Sequence, residues 1–103
     1  MTDERRIQFE PFALDLTNEC LWKGSEAIRL RPKAFAVLEH LLRRKGRVVS
    51  KTELLEHCWD VNFDGAPAVV EVHVHRLRRK IEPPGGDPVI VTVRGGGYMI
   101  ADD

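Results

Sequence analysis

Long apolar runs are missing. Nowhere do ~20 predominantly apolar residues follow one another, as a membrane helix requires, and the mixed start Thr2-Asp-Glu-Arg-Arg6 is no signal peptide. Cysteine is scarce: Cys20 and Cys58 stand in no paired or metal-spaced pattern, so a disulfide scaffold is excluded and a reducing, cytoplasmic setting is expected. Internal repeats and low-complexity linkers are absent. No convergent pair of acids and no serine or cysteine with an evident base partner can be picked out, so no catalytic residue and no enzymatic activity are expected. The Gly95-Gly-Gly97 run lacks the lysine-serine pair and the following helix of a nucleotide phosphate loop. Net charge is absent too, with 16 basic against 16 acidic side chains.

What is present is a globular composition. With 43% hydrophobic and 31% charged residues over 103 positions, residues 1–103 read as one domain large enough for a modest core. The zero total conceals segregation. From His73 to Ile81 there are three arginines, a lysine and no acid, and from Arg29 to Lys51 the basic residues face a single Glu39. Acids gather at Asp3-Glu4, Glu53–Glu56, Asp60–Asp64 and Asp102-Asp103. A partner rich in phosphate needs a local positive surface, not a positive total.

The fold class expected is α+β. Strands occupy about 7–30. Phe12, Leu14 and Leu16 alternate with Ala13, Asp15 and Thr17, and Lys23-Gly-Ser-Glu26 joins two further strands as a hairpin turn, making with Ile7-Gln-Phe9 a four-stranded antiparallel sheet. Helices are expected at about 32–45, 51–59 and 67–81. Pro32 opens the first, Phe35, Leu38, Leu41 and Leu42 share a face, and Gly46 stops it. Ser50-Lys-Thr-Glu53 reads as a reciprocal capping box for the second, whose Leu54, Leu55 and Cys58 turn inward. Pro67 begins the third and Pro83-Pro-Gly-Gly86 ends it. Residues 89–100 read as a β-hairpin with Arg94 at its turn.

At ~100° per residue, the third helix has a core arc of Val70, Val74, Leu77 and Ile81. The opposite arc holds Ala68, Val69, Val72, His75, Arg76 and Arg79. Small apolar groups can touch thymine methyls, and an arginine can grip guanine O6 and N7. A solvated basic face would have no use for exposed valines, so duplex DNA is the expected partner. Glu71 and Arg78 lie at the helix edge, suited to phosphate or intramolecular pairing. His73 and His75 point apart, and His57 adjoins a Cys58 on the apolar stripe, so no metal, cofactor or small-molecule ligand is expected.

Leu30-Arg-Pro-Lys-Ala-Phe35, Arg47-Val-Val-Ser-Lys-Thr-Glu-Leu-Leu55 with Trp59, Val70–Ile81 and Thr92-Val-Arg-Gly-Gly-Gly-Tyr98 occur in order, and with them the chain resembles the OmpR/PhoB-type winged-helix DNA-binding domain. The resemblance implies a four-stranded sheet, three helices and a C-terminal hairpin wing, serving transcription regulation in a two-component response regulator. It implies base contacts by Arg76, with Val69, Val72 and His75 on the same face, and a minor-groove contact by Arg94. Arg78, Arg79, Thr92, Tyr98 and Lys51 would meet the DNA backbone. A tandem homodimer on direct repeats is implied, and Asp60, Asn62 and Asp64 fall in a loop that contacts RNA polymerase in some members. The departures are His75 in place of a basic residue, which makes a pH-dependent groove contact an expectation, and Ala68-Val69 in place of polar residues. With no phosphoacceptor receiver ahead of the module, an excised effector or a standalone regulator is expected. ATPase-type and membrane-anchored regulators that begin with similar domains are alternatives, as is a protein-interaction winged helix.

Overall fold

The structure, a computed structural model, describes residues 5–9, 11–59, 67–82 and 88–101. Four short strands, β1 (Arg6–Phe9), β2 (Phe12–Asp15), β3 (Cys20–Lys23) and β4 (Glu26–Ile28), form an antiparallel sheet in chain order. Three helices follow, α1 (Pro32–Arg43), α2 (Lys51–Cys58) and α3 (Ala68–Ile81), and then a hairpin of β5 (Ile90–Val93) and β6 (Gly97–Ile100). None of the described helices is long and apolar enough to cross a membrane.

The expected elements form, with informative shifts at their ends. β4 stops at Ile28 because the chain then turns into α1, and the Arg29 carbonyl accepts from Lys80 Nζ at 2.6 Å. β2 stops at Asp15, which alternation had placed on the open face. Asp15 is instead buried. Its carboxylate accepts from the backbone N–H of Thr17 and Asn18 at 3.0 Å each, the Asn18 amide at 2.9 Å and Trp22 Nε1 at 3.2 Å. Aspartate thus builds the β2–β3 turn by satisfying local donors.

Pro32 supplies the first turn of α1, which ends two residues earlier than expected, and Gly46 beyond it has φ +81°. At α2, Ser50 Oγ accepts from Glu53 N at 3.0 Å. Only half of the expected capping box is made, because Glu53 Oε2 turns to His40 and Arg44. Leu54 and Cys58 are buried and Leu55 is half-buried. The loop after Trp59 and the Pro83–Gly86 stop lie outside the described residues.

Phe9, Phe12, Leu14 and Leu21 from the sheet join Phe35, Val37, Leu38 and Leu41 of α1, Leu54 of α2 and the inner arc of α3 in one core. The hairpin is tied to this body through the connection between α1 and α2. Val49 N donates to the Tyr98 carbonyl at 2.8 Å and Tyr98 N to the Val49 carbonyl at 2.9 Å, while Gly46 N donates to Ile100 at 2.8 Å. Gly97 makes the approach possible: a Cβ there would stand 2.1 Å from Val49 O, and its φ is +129°. The glycine thus serves a close approach to the protein's own backbone.

Candidate nucleic-acid interface

Helix α3 divides as its periodicity requires. Val70, Val74, Leu77 and Ile81 are buried, whereas Ala68, Val72, His75, Arg76 and Arg79 are exposed. Val72 keeps 45% of its surface open, and with Val48 it is one of two large apolar side chains so exposed among the described residues. Val69 departs from the expected exposed arc. It is half-buried against the core, one step off the Val70 seam, and its carbonyl lies 2.9 Å from His73 Nδ1. His73 itself meets Trp59 edge-on, 5.1 Å between ring centroids. It therefore lies on a different side of the helix from the exposed His75.

Arg76 occupies the middle of the outer face, and no hydrogen bond or ion pair holds it among the described residues. Beside it, between the start of α1 and the end of α3, lies a groove of ≈ 230 Å³ lined by Arg31, Ala34, His73, Arg76, Leu77, Arg79 and Lys80. Four cations around an apolar floor give the field that attracts phosphate. Lys51, at the first turn of α2, pairs with Glu71 of α3. That hydrogen bond holds the Lys51 ammonium above its usual range, so it stays charged.

The wing presents Arg94. A turn closed by Gly96 N donating to Val93 O at 2.9 Å carries it, and its side chain is exposed and held by no described partner. The register pairs Ile90 with Ile100, Val91 with Met99, Thr92 with Tyr98 and Val93 with Gly97.

Besides Lys51, three further residues expected to touch the DNA backbone have work inside the protein. Arg78 donates from Nε and Nη2 to the Ile90 carbonyl at 3.2 and 2.7 Å, and from Nη2 to Thr92 Oγ1 at 2.6 Å. Its guanidinium also lies over the Tyr98 ring, 5.7 Å from the centroid. Tyr98 is buried. Glu82 completes this lock, accepting from Val89 N at 2.7 Å and Ile90 N at 2.9 Å, with Arg78 Nε 3.9 Å away. Arg78 and Glu82, the extended residue that caps α3, are four apart, a spacing that signals an ion pair, yet their main-chain partners come after residues 83–87 in the chain. The sequence pointed to intramolecular pairing for Arg78 without naming the wing.

Asp60, Asn62 and Asp64, expected at an RNA polymerase contact, lie outside the described residues. Cys58 is buried, and burial pushes its thiol up to about 11, so it stays protonated at neutral pH.

Residues 24–100 match the family described as transcriptional regulatory protein, C terminal. The chain is 48% identical over 87 residues to the transcriptional regulatory protein CutR of Streptomyces coelicolor, covering 84% of this chain and 39% of that protein. It is 36% identical over 101 residues to the phosphate regulon transcriptional regulatory protein PhoB of Escherichia coli, covering 98% and 44%. It thus spans less than half the length of either relative. Among solved structures, the Klebsiella pneumoniae RstA DNA-binding domain in complex with the RstA box superposes with a TM-score of 0.82 at 29% identity over 95% of this chain and 98% of that one. The Thermotoga maritima OmpR/PhoB homologue DrrB gives 0.84 at 30% over 95% and 45%.

Proposed function

Since the chain belongs to the transcriptional regulatory C-terminal family, the OmpR/PhoB-type winged-helix DNA-binding domains, we propose that it reads duplex DNA with α3 in the major groove and the β5–β6 wing over the adjacent minor groove. The observation that carries this reading is Arg76, which no described residue engages, at the centre of an outer face where Val72 stays exposed. An α-helix of about 10–12 Å diameter fits a major groove of about 12 Å. Arg76 supplies the bidentate base contact, with Val72 and His75 as its neighbours, and Val69, being half-buried, at most skirts the site. Arg79 and Lys51 meet phosphates. Arg94 enters the minor groove.

Arg78, Thr92 and Tyr98 act by positioning. The Arg78 lock sets where Arg94 stands relative to α3, so their contribution to the backbone contact is indirect. In the whole protein we read this module as the output domain of a cytoplasmic two-component response regulator that binds direct repeats as a tandem homodimer, with Asp60, Asn62 and Asp64 meeting RNA polymerase. The relatives CutR and PhoB, both transcriptional regulatory proteins, support the regulatory part of this reading.

The test is a comparison of flanks. After selection of bound sequences from a random duplex pool, the selected site is rebuilt with A·T-rich and with G·C-rich wing flanks. Narrow A·T minor grooves concentrate negative potential, so Arg94→Ala loses more affinity on the A·T flank. Equal losses on both would make Arg94 a plain phosphate contact.

A further inference from the structure

We propose that His40, Glu53 and His57 form a binding site for one divalent transition-metal ion of the zinc type at the seam between α1 and α2. His40 comes from the last part of α1, and Glu53 and His57 stand four apart on one face of α2. His40 Nε2 lies 2.6 Å from Glu53 Oε2, and the His40 and His57 rings stack with centroids 4.7 Å apart and planes 24° from parallel. One ligand atom from each residue falls within 4.8 Å of the other two. A tetrahedral zinc ion with bonds of about 2.0–2.1 Å sets its ligand atoms about 3.3 Å apart, so the ion would replace the His40–Glu53 hydrogen bond by opening that 2.6 Å pair slightly and drawing in ligand atoms that now lie within 4.8 Å of one another.

The donor chemistry selects the ion. Two imidazoles and one carboxylate suit zinc, cobalt, nickel or copper, whereas magnesium and calcium want oxygen ligands. The two histidines and glutamate are also a three-ligand set that leaves a fourth position for water. That position opens onto a cleft lined by Arg44, Arg47, Ser50, Thr52, Glu53, Glu56 and His57. Arg44 opposes binding, with Nε 3.5 Å from Glu53 Oε2, but its side chain is 44% exposed and free to swing outward. His40, at 12% exposure, is held in place by packing and so pre-set as a ligand. Cys58 turns to the core, so the site is thiolate-free. The ion would clip α1 to α2 without touching the outer face of α3 or the wing.

The probe is zinc chloride alone, titrated into the protein in a calorimeter and in thermal melts, with cobalt(II) absorption reporting the ligand set. One equivalent binds, the melting temperature rises with zinc concentration because the ion favours the folded state, and cobalt gives tetrahedral d–d bands without a thiolate charge-transfer band. His57→Ala, an exposed change expected to leave the zinc-free melt unaltered, and Glu53→Gln each weaken zinc binding roughly tenfold or more, while His75→Ala does not. Absence of saturable binding at one equivalent, undiminished binding by His57→Ala, or a thiolate band would overturn the assignment.

Discussion

Asp15 and Gly97 show how much of this fold hangs on single side chains. The Asn18 backbone N–H, above all, then the Asn18 amide, Trp22 Nε1 and the Thr17 N–H hold the Asp15 carboxyl down to about 2. A carboxylate favoured in the folded state stabilises it fully above the unfolded value of about 3.9, and that contribution is lost as pH falls toward 2. Melting temperature against pH should therefore drop between about pH 4 and 2, and the drop should flatten in Asp15→Asn. Parallel curves would remove Asp15 from the account. Gly97→Ala combines a positive φ with a Cβ 2.1 Å from Val49 O, whereas Gly95, at φ +77°, faces open space. The strained conformation alone costs roughly 1–3 kcal/mol, so by chemical denaturation Gly97→Ala should be clearly the more damaging of the two. A Gly95→Ala variant as unstable as Gly97→Ala would show that the Val49 approach is not what fixes this glycine. Neither role was legible in advance: alternation assigns Asp15 a face but is blind to a turn that collects four donors, and Val49 is far from Gly97 in sequence.

At the scale of elements, α3 was the most readable part, because a 3.6-residue period separates its two faces over four turns. Its core arc of Val70, Val74, Leu77 and Ile81 is buried as that period dictates. Leu77→Ala should accordingly cost ~2–5 kcal/mol of stability, read as a lowered denaturation midpoint. An unchanged midpoint would mean the helix is rotated, and the outward position of Arg76 would fall with it. Val69 shows the grain of such reasoning, since one position beside a seam is enough to turn an exposed residue into a half-buried one. What joins elements was harder to read. The Arg78 lock needs the Ile90 carbonyl and Thr92, and the His40–Glu53–His57 cluster needs two helices to meet. Periodicity within one element carries no signal for either.

At the level of the molecule, a chain of zero net charge presents a basic face where the nearby described acids are engaged. Glu71 is paired with Lys51, Glu82 is occupied at the wing base and Glu53 faces His40 and Arg44. The groove between α1 and α3 is left to Arg31, Arg76, Arg79 and Lys80. The proposed base contact of Arg76 on this face is tested most directly by a binding comparison. Arg76→Ala and the parent chain are titrated with the selected duplex and with a scrambled duplex at one salt concentration. A lost bidentate base contact removes ~1–3 kcal/mol of discrimination. The variant, folded by circular dichroism, should therefore lose roughly 5–150-fold of its preference for the selected site while its affinity for the scrambled duplex changes little. A folded Arg76→Ala that keeps the parent's preference would contradict the account.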